Sequence, residues 1–269
     1  MQQYVDLVNR VLREGEPRAD RTGVGTLAVF GGRIEFDLRE RFPLVTVKET
    51  RWKTAFLEML WFLRGETNTE YLHRHGCTLW DAWADEHGNL GPVYGAQWRE
   101  WREWRDTEWG DVDQIAVLID GLKNNPQGRR HIVSAWNVAE LDNMALPPCH
   151  WAFQCYVSNS GELDMHVNQR SWDLALGAPF NIAQYALLLT LLARTTGLAP
   201  RKLAFAFGDA HIYQNHVDAM REVVQRPVVD DIAVLAVTTT NTRIDCYVIE
   251  DFKVLGYAPH PFVKLDVAV

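Results

Sequence analysis

The sequence contains no apolar run long enough to cross a membrane. Its longest, Tyr185 to Ala193, is under half of the roughly 20 residues that a spanning helix needs. Met1 to Gly15 is polar and charged where a secretory leader carries an apolar core. Cysteine is scarce and scattered: Cys77, Cys149, Cys155 and Cys246 form no CxxC pair and no disulfide framework, so reduced thiols in a cytoplasmic protein are expected. Positive charge is also in deficit, with 27 Lys and Arg against 35 Asp and Glu, which argues against a surface that coats a nucleic acid polymer. A small anion held by a few local arginines fits that balance. His73, His75 and Cys77 alternate, but no second cluster completes a tetrahedral set, and His211 and His216 lie five apart, so no metal is expected. Gly23 and Gly25 lack the lysine and the strand-turn-helix setting of a phosphate loop. No Pro/Ser-rich linker or internal repeat divides the chain, and residues 1–269 are expected to form one domain.

What is present is a large supply of core. Hydrophobic residues make up 47% of the chain and charged ones 23%, an ordinary balance for a folded globular protein. Tyr4, Leu7, Val8, Val11 and Leu12 have helical spacing, ended by Gly15. From Leu27 the apolar residues alternate at odd positions and, after Gly31-Gly32, at even ones, which predicts one long strand bent by a β-bulge. Residues 52–63 and 180–195 read as helices apolar nearly all round, stopped by Gly65 and Gly197, and such helices are buried. Glu58 sits in the middle of the first. It is expected to be paired with a cation, protonated or facing a wet cavity. Further strands are expected at 131–137, 203–207, 232–237 and 244–249, with an amphipathic helix at 217–224. Strands and helices do not alternate strictly, so the layout is α+β rather than doubly wound. Trp98, Trp101, Trp104 and Trp109, set among Arg and Glu, read as an exposed insertion.

The chemistry concentrates around Cys149. Residues 150–157 and 163–170 are rich in aromatic and β-branched types, and Ser158 to Gly161 carries turn chemistry between them. A hairpin turning at Asn159-Ser160 sets Cys149 opposite Arg170, and a guanidinium beside a thiol favours the nucleophilic thiolate. Arg21 and Arg129-Arg130 also stand in polar loop contexts and, with Arg170, suit bidentate recognition of phosphate. Asn181 either caps its helix or reads the edge of a heterocycle as donor and acceptor.

These segments resemble the thymidylate synthase family. The resemblance begins with Asp20-Arg21-Thr22-Gly23, Phe42-Pro43-Leu44-Val45-Thr46, Glu58 through Gly65, Trp80-Asp81-Ala82-Trp83 and Gly91-Pro92-Val93-Tyr94-Gly95. It continues through Arg129-Arg130, Pro148-Cys149-His150, Gln169-Arg170-Ser171, Gly177 to Ile182, Gly208 to Tyr213 and the terminal Val267-Ala268-Val269. It implies a large twisted mixed sheet with flanking helices, paired sheet on sheet in a homodimer. It also implies reductive methylation of deoxyuridylate (dUMP) at C5, with 5,10-methylenetetrahydrofolate giving carbon and hydride. On that resemblance Cys149 adds to C6, while Arg170, Arg21, Ser171 and, from the partner subunit, Arg129 and Arg130 hold the phosphate. Asn181 reads O4 and N3, His211 and Tyr213 fix the sugar, and Trp172 and Asp173 complete the nucleotide site. Glu58 acts through water on the C4 carbonyl, and Tyr94 assists proton loss from C5. Arg51, Glu58, Trp80, Trp83, Leu146, Asp173, Phe180 and Ala268 line the folate site.

The chain departs from the family's usual pattern at Trp172, where a smaller residue is common, at Ala175 and Ala178, and at Glu49 and Arg51. The nearest alternative is a hydroxymethylase of the same family, in which water replaces hydride. A cysteine hydrolase using His150 or His211 as base, and an RNA-binding module built on the tryptophan-rich segment, are the competing readings from other classes.

Overall fold

The computed structural model describes residues 1–105, 107–229 and 232–268; Val269, part of the terminal motif above, lies outside them. In chain order the elements are α1 (Gln2–Glu14), β1 (Glu16–Arg18), β2 (Thr26–Asp37), α2 (Trp52–Leu63), α3 (Glu70–Arg74), α4 (Tyr94–Arg99), β3 (Trp101–Arg105) and β4 (Glu108–Val112). They continue as α5 (Gln114–Asn124), β5 (Ile132–Ser134), β6 (His150–Val157), β7 (Glu162–Asp173), α6 (Gly177–Thr196), β8 (Ala199–Tyr213), α7 (Val217–Val223), β9 (Val234–Val237) and β10 (Phe252–Leu255). Six strands form the main sheet in the order β1-β2-β8-β7-β6-β5, and β7 and β8 are its parallel pair. This is an α+β fold around a large mixed sheet, as expected. Among the described residues no helix is long and apolar enough to cross a membrane.

Helices cover one face of the sheet. α1 packs on β2 and β8, α6 on β7 and β8, and α2 on α6. That layering explains the all-round apolarity of the two central helices: α2 buries every residue from Ala55 to Leu63, Glu58 included, and α6 buries Leu187, Leu188, Leu189, Leu191 and Leu192 completely. Gly197 ends α6 in the left-handed conformation that glycine adopts without steric cost (φ 75°). The other face carries Arg33, His166, Gln154, Tyr156 and Ile132 along its strands, with Ile132 and Tyr156 50% and 60% exposed.

Several boundaries differ from the sequence-based expectation. α6 begins at Gly177, so Asn181 lies inside the helix and does not cap it. The strand expected at 131–137 keeps only Ile132–Ser134, and the one expected at 244–249 is turn and 3-10 structure, the last strand being β10. The tryptophan-rich segment divides. Trp98 is core on α4, whereas Trp104 and Trp109 are exposed cross-strand partners on the β3-β4 hairpin, ring to ring at 5.3 Å.

The β-bulge expected at Gly31-Gly32 is not a one-residue insertion. β2 runs through in a single register against β8, from Thr26↔Tyr213 to Asp37↔Lys202. Gly31 drops out of the ladder with φ 77°, and the facing Gly208 drops out with it. In the β7-β8 ladder the same level is missing again, at Arg170. A Cβ at Gly208 would lie 3.2 Å from the Arg170 carbonyl oxygen. On β6 the register slips by one residue between Ala152↔Asn168 and His150↔Gln169. The ladder is thus interrupted at one level across four strands, and that level ends at Cys149.

Gly91 holds the approach to α4 in a left-handed conformation (φ 69°), and a Cβ there would sit 2.0 Å from the Asn143 carbonyl oxygen. Gly91→Ala should cost about 2–4 kcal/mol, from strain plus backbone displacement. Urea unfolding measures this, and a variant as stable as the parent would contradict the close approach.

Candidate active site

Two prolines precede Cys149, and β7 holds it through the Arg170 amide, which donates to the Cys149 carbonyl at 2.7 Å. The Arg170 guanidinium reaches back over the same strand. Its Nη2 is 3.9 Å from the Cys149 sulfur, and its Nε donates to the Pro148 carbonyl at 3.2 Å. The Cys149 amide donates to the Tyr94 hydroxyl at 2.8 Å, so α4 fixes the thiol from the other side. Burial pushes the thiol above its ordinary pKa. Arg170 pulls it back, Asp173 adds to the rise, and Arg21 lowers it. The guanidinium is where the sequence led us to expect it, and its pull toward the thiolate is opposed by the larger effect of desolvation.

His150 does not present a base. Its ring stacks on Tyr94 at 4.1 Å, its Nδ1 meets the Tyr185 hydroxyl at 2.8 Å, and burial drives its pKa down to about 3. It is a neutral wedge between α4 and α6. Glu58 has no cationic partner among the described residues. Trp80 Nε1 donates to its Oε1 at 2.6 Å, and Gln184 Nε2 donates to its Oε2. Burial raises this carboxyl to about 7, with the two neutral donors opposing. Of the three options open from sequence, the described residues offer no ion pair, and a proton held near neutrality or a wet cavity remains.

Gln184 Oε1 accepts from Asn181 Nδ2 at 3.1 Å, and Asn181 Oδ1 accepts from Trp172 Nε1 and Gln169 Nε2, both at 3.1 Å. A continuous polar chain therefore joins β7 to Glu58. Asp173 ends β7 by accepting from the Ala175 and Leu176 amides. His211 Nδ1 meets Asp209 at 2.6 Å, and Asp209 faces Ser171 across the β7-β8 ladder. Burial raises the pKa of the Tyr213 hydroxyl, Asp173 and Asp20 add to the rise, and Arg21 opposes it.

Other sequence-predicted residues lie in two further settings. Trp80 is buried in edge contact with Trp83 (5.9 Å), while Leu146 and Phe180 are half-buried. The Arg51 guanidinium lies over the Phe262 ring at 4.3 Å, and Ala268 is half-buried at the end of a tail tied down by His260 to Thr46 and Tyr257 to Val45. Arg129 and Arg130 are not brought to Cys149 within one chain. Both are exposed before β5, with no side-chain hydrogen bond or ion pair among the described residues. No three His, Cys, Asp or Glu side chains among the described residues cluster as metal ligands.

Sequence reasoning missed two residues. Gln184 looked like one polar residue on a buried helix, and only its approach to Glu58 reveals its place. Lys48 is 4% exposed, with its pKa pushed down by burial to about 8 and held up by Asp173. A lysine closing the apolar run Phe42 to Val47 was a signal that could have found it.

The Glu58 proton gives a test by stability. Because the folded protein binds this proton more tightly than the unfolded chain (about 7 against 4.5), its contribution is fully present below pH 4.5 and is lost as pH rises through 7. The loss amounts to about 3 kcal/mol. His150 acts oppositely, since its depressed pKa costs stability as pH falls. The Glu58→Gln variant isolates the carboxyl: its stability relative to the parent should rise between pH 5 and 8. A pH-independent difference would mean that Glu58 titrates normally.

Comparison with known proteins supplies an independent view. Residues 2–269 match the family model described as thymidylate synthase. With that match over nearly the whole chain, a half-buried cysteine beside an arginine, and a carboxyl that burial raises to about 7 against indole and amide donors, this chain belongs to the thymidylate synthase family.

Proposed function

We propose that the chain converts dUMP to dTMP by reductive methylation at C5, with 5,10-methylenetetrahydrofolate as co-substrate. At family level the chain is a methyltransferase-type enzyme acting on dUMP with that folate. The observation that carries the finer reading is the pairing of Cys149 with Arg170 at the broken level of the sheet, with Tyr94 and Glu58 on the opposite wall.

The nucleotide phosphate is held by Arg170, Arg21 and Ser171, and by Arg129 and Arg130 of the partner subunit in a homodimer. The open second face of the sheet and the exposed, unpaired state of those two arginines support this pairing. His211 and Tyr213 fix the sugar, and Trp172 and Asp173 border the ring. The Cys149 sulfur bonds to C6 as its proton leaves, and the C5–C6 electron pair moves toward C5 and O4. Arg170 favours the ionised sulfur and so lowers the barrier to that bond. Asn181 donates to O4; the contact with N3 that the resemblance implied finds Asn181 Oδ1 already taken by Trp172 and Gln169. Glu58, able to gain or lose a proton near neutrality, serves the C4 carbonyl through water, and Tyr94 assists removal of the C5 proton.

The residues fit a folate. The Trp83 indole N–H is buried without an acceptor, and Lys48 is a buried ammonium with no ion pair among the described residues, which suits an acceptor-rich pterin and a carboxylate tail. With them we assign Arg51, Trp80, Leu146, Asp173, Phe180 and Ala268 to the folate site. When bound, the folate supplies the one-carbon unit and the hydride that reduces it. Trp80, packed on Trp61, Phe62 and Trp83, forms a dry aromatic wall that excludes water, and this favours methylation over hydroxymethylation. A cysteine hydrolase with His150 as its base is disfavoured, because burial removes the basicity that role needs. The described cysteines are free thiols, in keeping with a cytoplasmic enzyme.

Incubation with dUMP and methylenetetrahydrofolate should yield dTMP by mass spectrometry, together with dihydrofolate absorbance. A 5-hydroxymethyl product with tetrahydrofolate would move the assignment to the hydroxymethylase. Cys149→Ala should lose about three orders of magnitude or more in turnover while still binding dUMP. Parent-like rates would remove Cys149 as nucleophile.

A further inference from the structure

Trp172 is 1% exposed, with its ring stacked on Phe205 at 5.0 Å and its indole N–H on Asn181 Oδ1 at 3.1 Å. An indole N–H only donates, so it accepts an oxygen as neighbour and rejects an amide nitrogen. A side-chain amide can otherwise exchange its oxygen and nitrogen by a half-turn at little cost in shape. With Trp172 in place Asn181 must face it with Oδ1, which turns Nδ2 toward Gln184 Oε1 and, in turn, Gln184 Nε2 toward Glu58. Trp80, a second donor-only indole, closes the far end on Glu58 Oε1. Gln169 cannot set the direction, because its amide is itself reversible: Nε2 shares Asn181 Oδ1 while its buried Oε1 has no donor.

We propose that Trp172 is a positioning and specificity-determining residue: it sets the direction of the Asn181-Gln184 amide chain, so that Asn181 offers a pyrimidine a donor and Glu58 receives one. This rests on the uridylate reading above. Trp172 and Gln169 occupy both lone pairs of Asn181 Oδ1 and Gln184 takes one N–H, which leaves Asn181 a single free N–H. A 4-oxo pyrimidine accepts there, whereas a 4-amino group meets donor with donor. At the other end, the Gln184 donor favours the ionised form of Glu58. A reversed chain would present Gln184 Oε1 instead and favour the protonated form. The titratable groups coupled to Glu58 are Tyr94 on α4, Tyr185 on α6 and Cys77 after α3; burial raises the pKa of each, so none brings a charge near neutrality.

The test uses Trp172→Phe, which removes the N–H and keeps a ring on Phe205, together with Gln184→Leu and the double variant. Glu58 is titrated in nucleotide-free protein by isotope-edited infrared spectroscopy, and dUMP and dCMP binding are measured by calorimetry. Trp172→Phe should raise the Glu58 midpoint by about half to one pH unit, one hydrogen bond's worth. It should add nothing in the Gln184→Leu background, because Trp172 acts through Gln184. It should also narrow the dUMP preference over dCMP by about tenfold. An unmoved midpoint, an equal shift in both backgrounds or an unchanged preference overturns the proposal. Parent protein that binds neither nucleotide would remove the uridylate reading, and with it the specificity role, while the titration would still decide the direction of the chain.

Discussion

One main-chain hydrogen bond, from the Arg170 amide to the Cys149 carbonyl, anchors the whole site. It lies where the β6-β7 register has slipped by one residue and where β7, β8 and β2 all interrupt their ladders. A regular sheet would spend the polar groups of these residues on neighbouring strands and turn their side chains strictly in or out. The interruption frees the Arg170 guanidinium to fold back over Pro147 and Pro148 and to stand beside the sulfur. On the facing strands Gly31 adopts a left-handed backbone, and a Cβ at Gly208 would crowd the Arg170 carbonyl at 3.2 Å.

Around this anchor four ionisable groups are displaced toward their neutral forms. The Cys149 thiol and the Glu58 carboxyl are raised, and His150 and Lys48 are lowered, each chiefly by loss of water. The polar ordering around Glu58 comes from neutral donors, two indoles and two amides, whose directions depend on one another. Loss of water keeps Glu58 near the pKa at which a carboxyl both gives and takes a proton.

The parts of this arrangement legible in the sequence were those with strong local signals. Two helices apolar all round, each stopped by glycine, announced a buried layer, and Glu58 inside one of them announced a perturbed acid. The Cys149-Arg170 juxtaposition was also legible, though by a compensation. The hairpin body runs one residue away from the expected register, and the slip at Trp151 restores it at Cys149. Parity of apolar residues revealed the bend at Gly31-Gly32 but not its cause, because a ladder interrupted on both strands and a one-residue bulge leave the same alternation in one strand. The strand expected at 244–249 failed because a short apolar run carries no partner information.

Composition and local pattern by themselves determined the fold class, the buried helices, the hairpin and the thiol next to a cation, since each follows from periodicity, turn chemistry or residue type within a few positions. Only the tertiary structure decided the protonation tendencies and the direction of the polar chain. Desolvation depends on what all the other elements place around a group, and the orientation of an amide depends on partners more than a hundred residues away, as with Gln184 and Glu58.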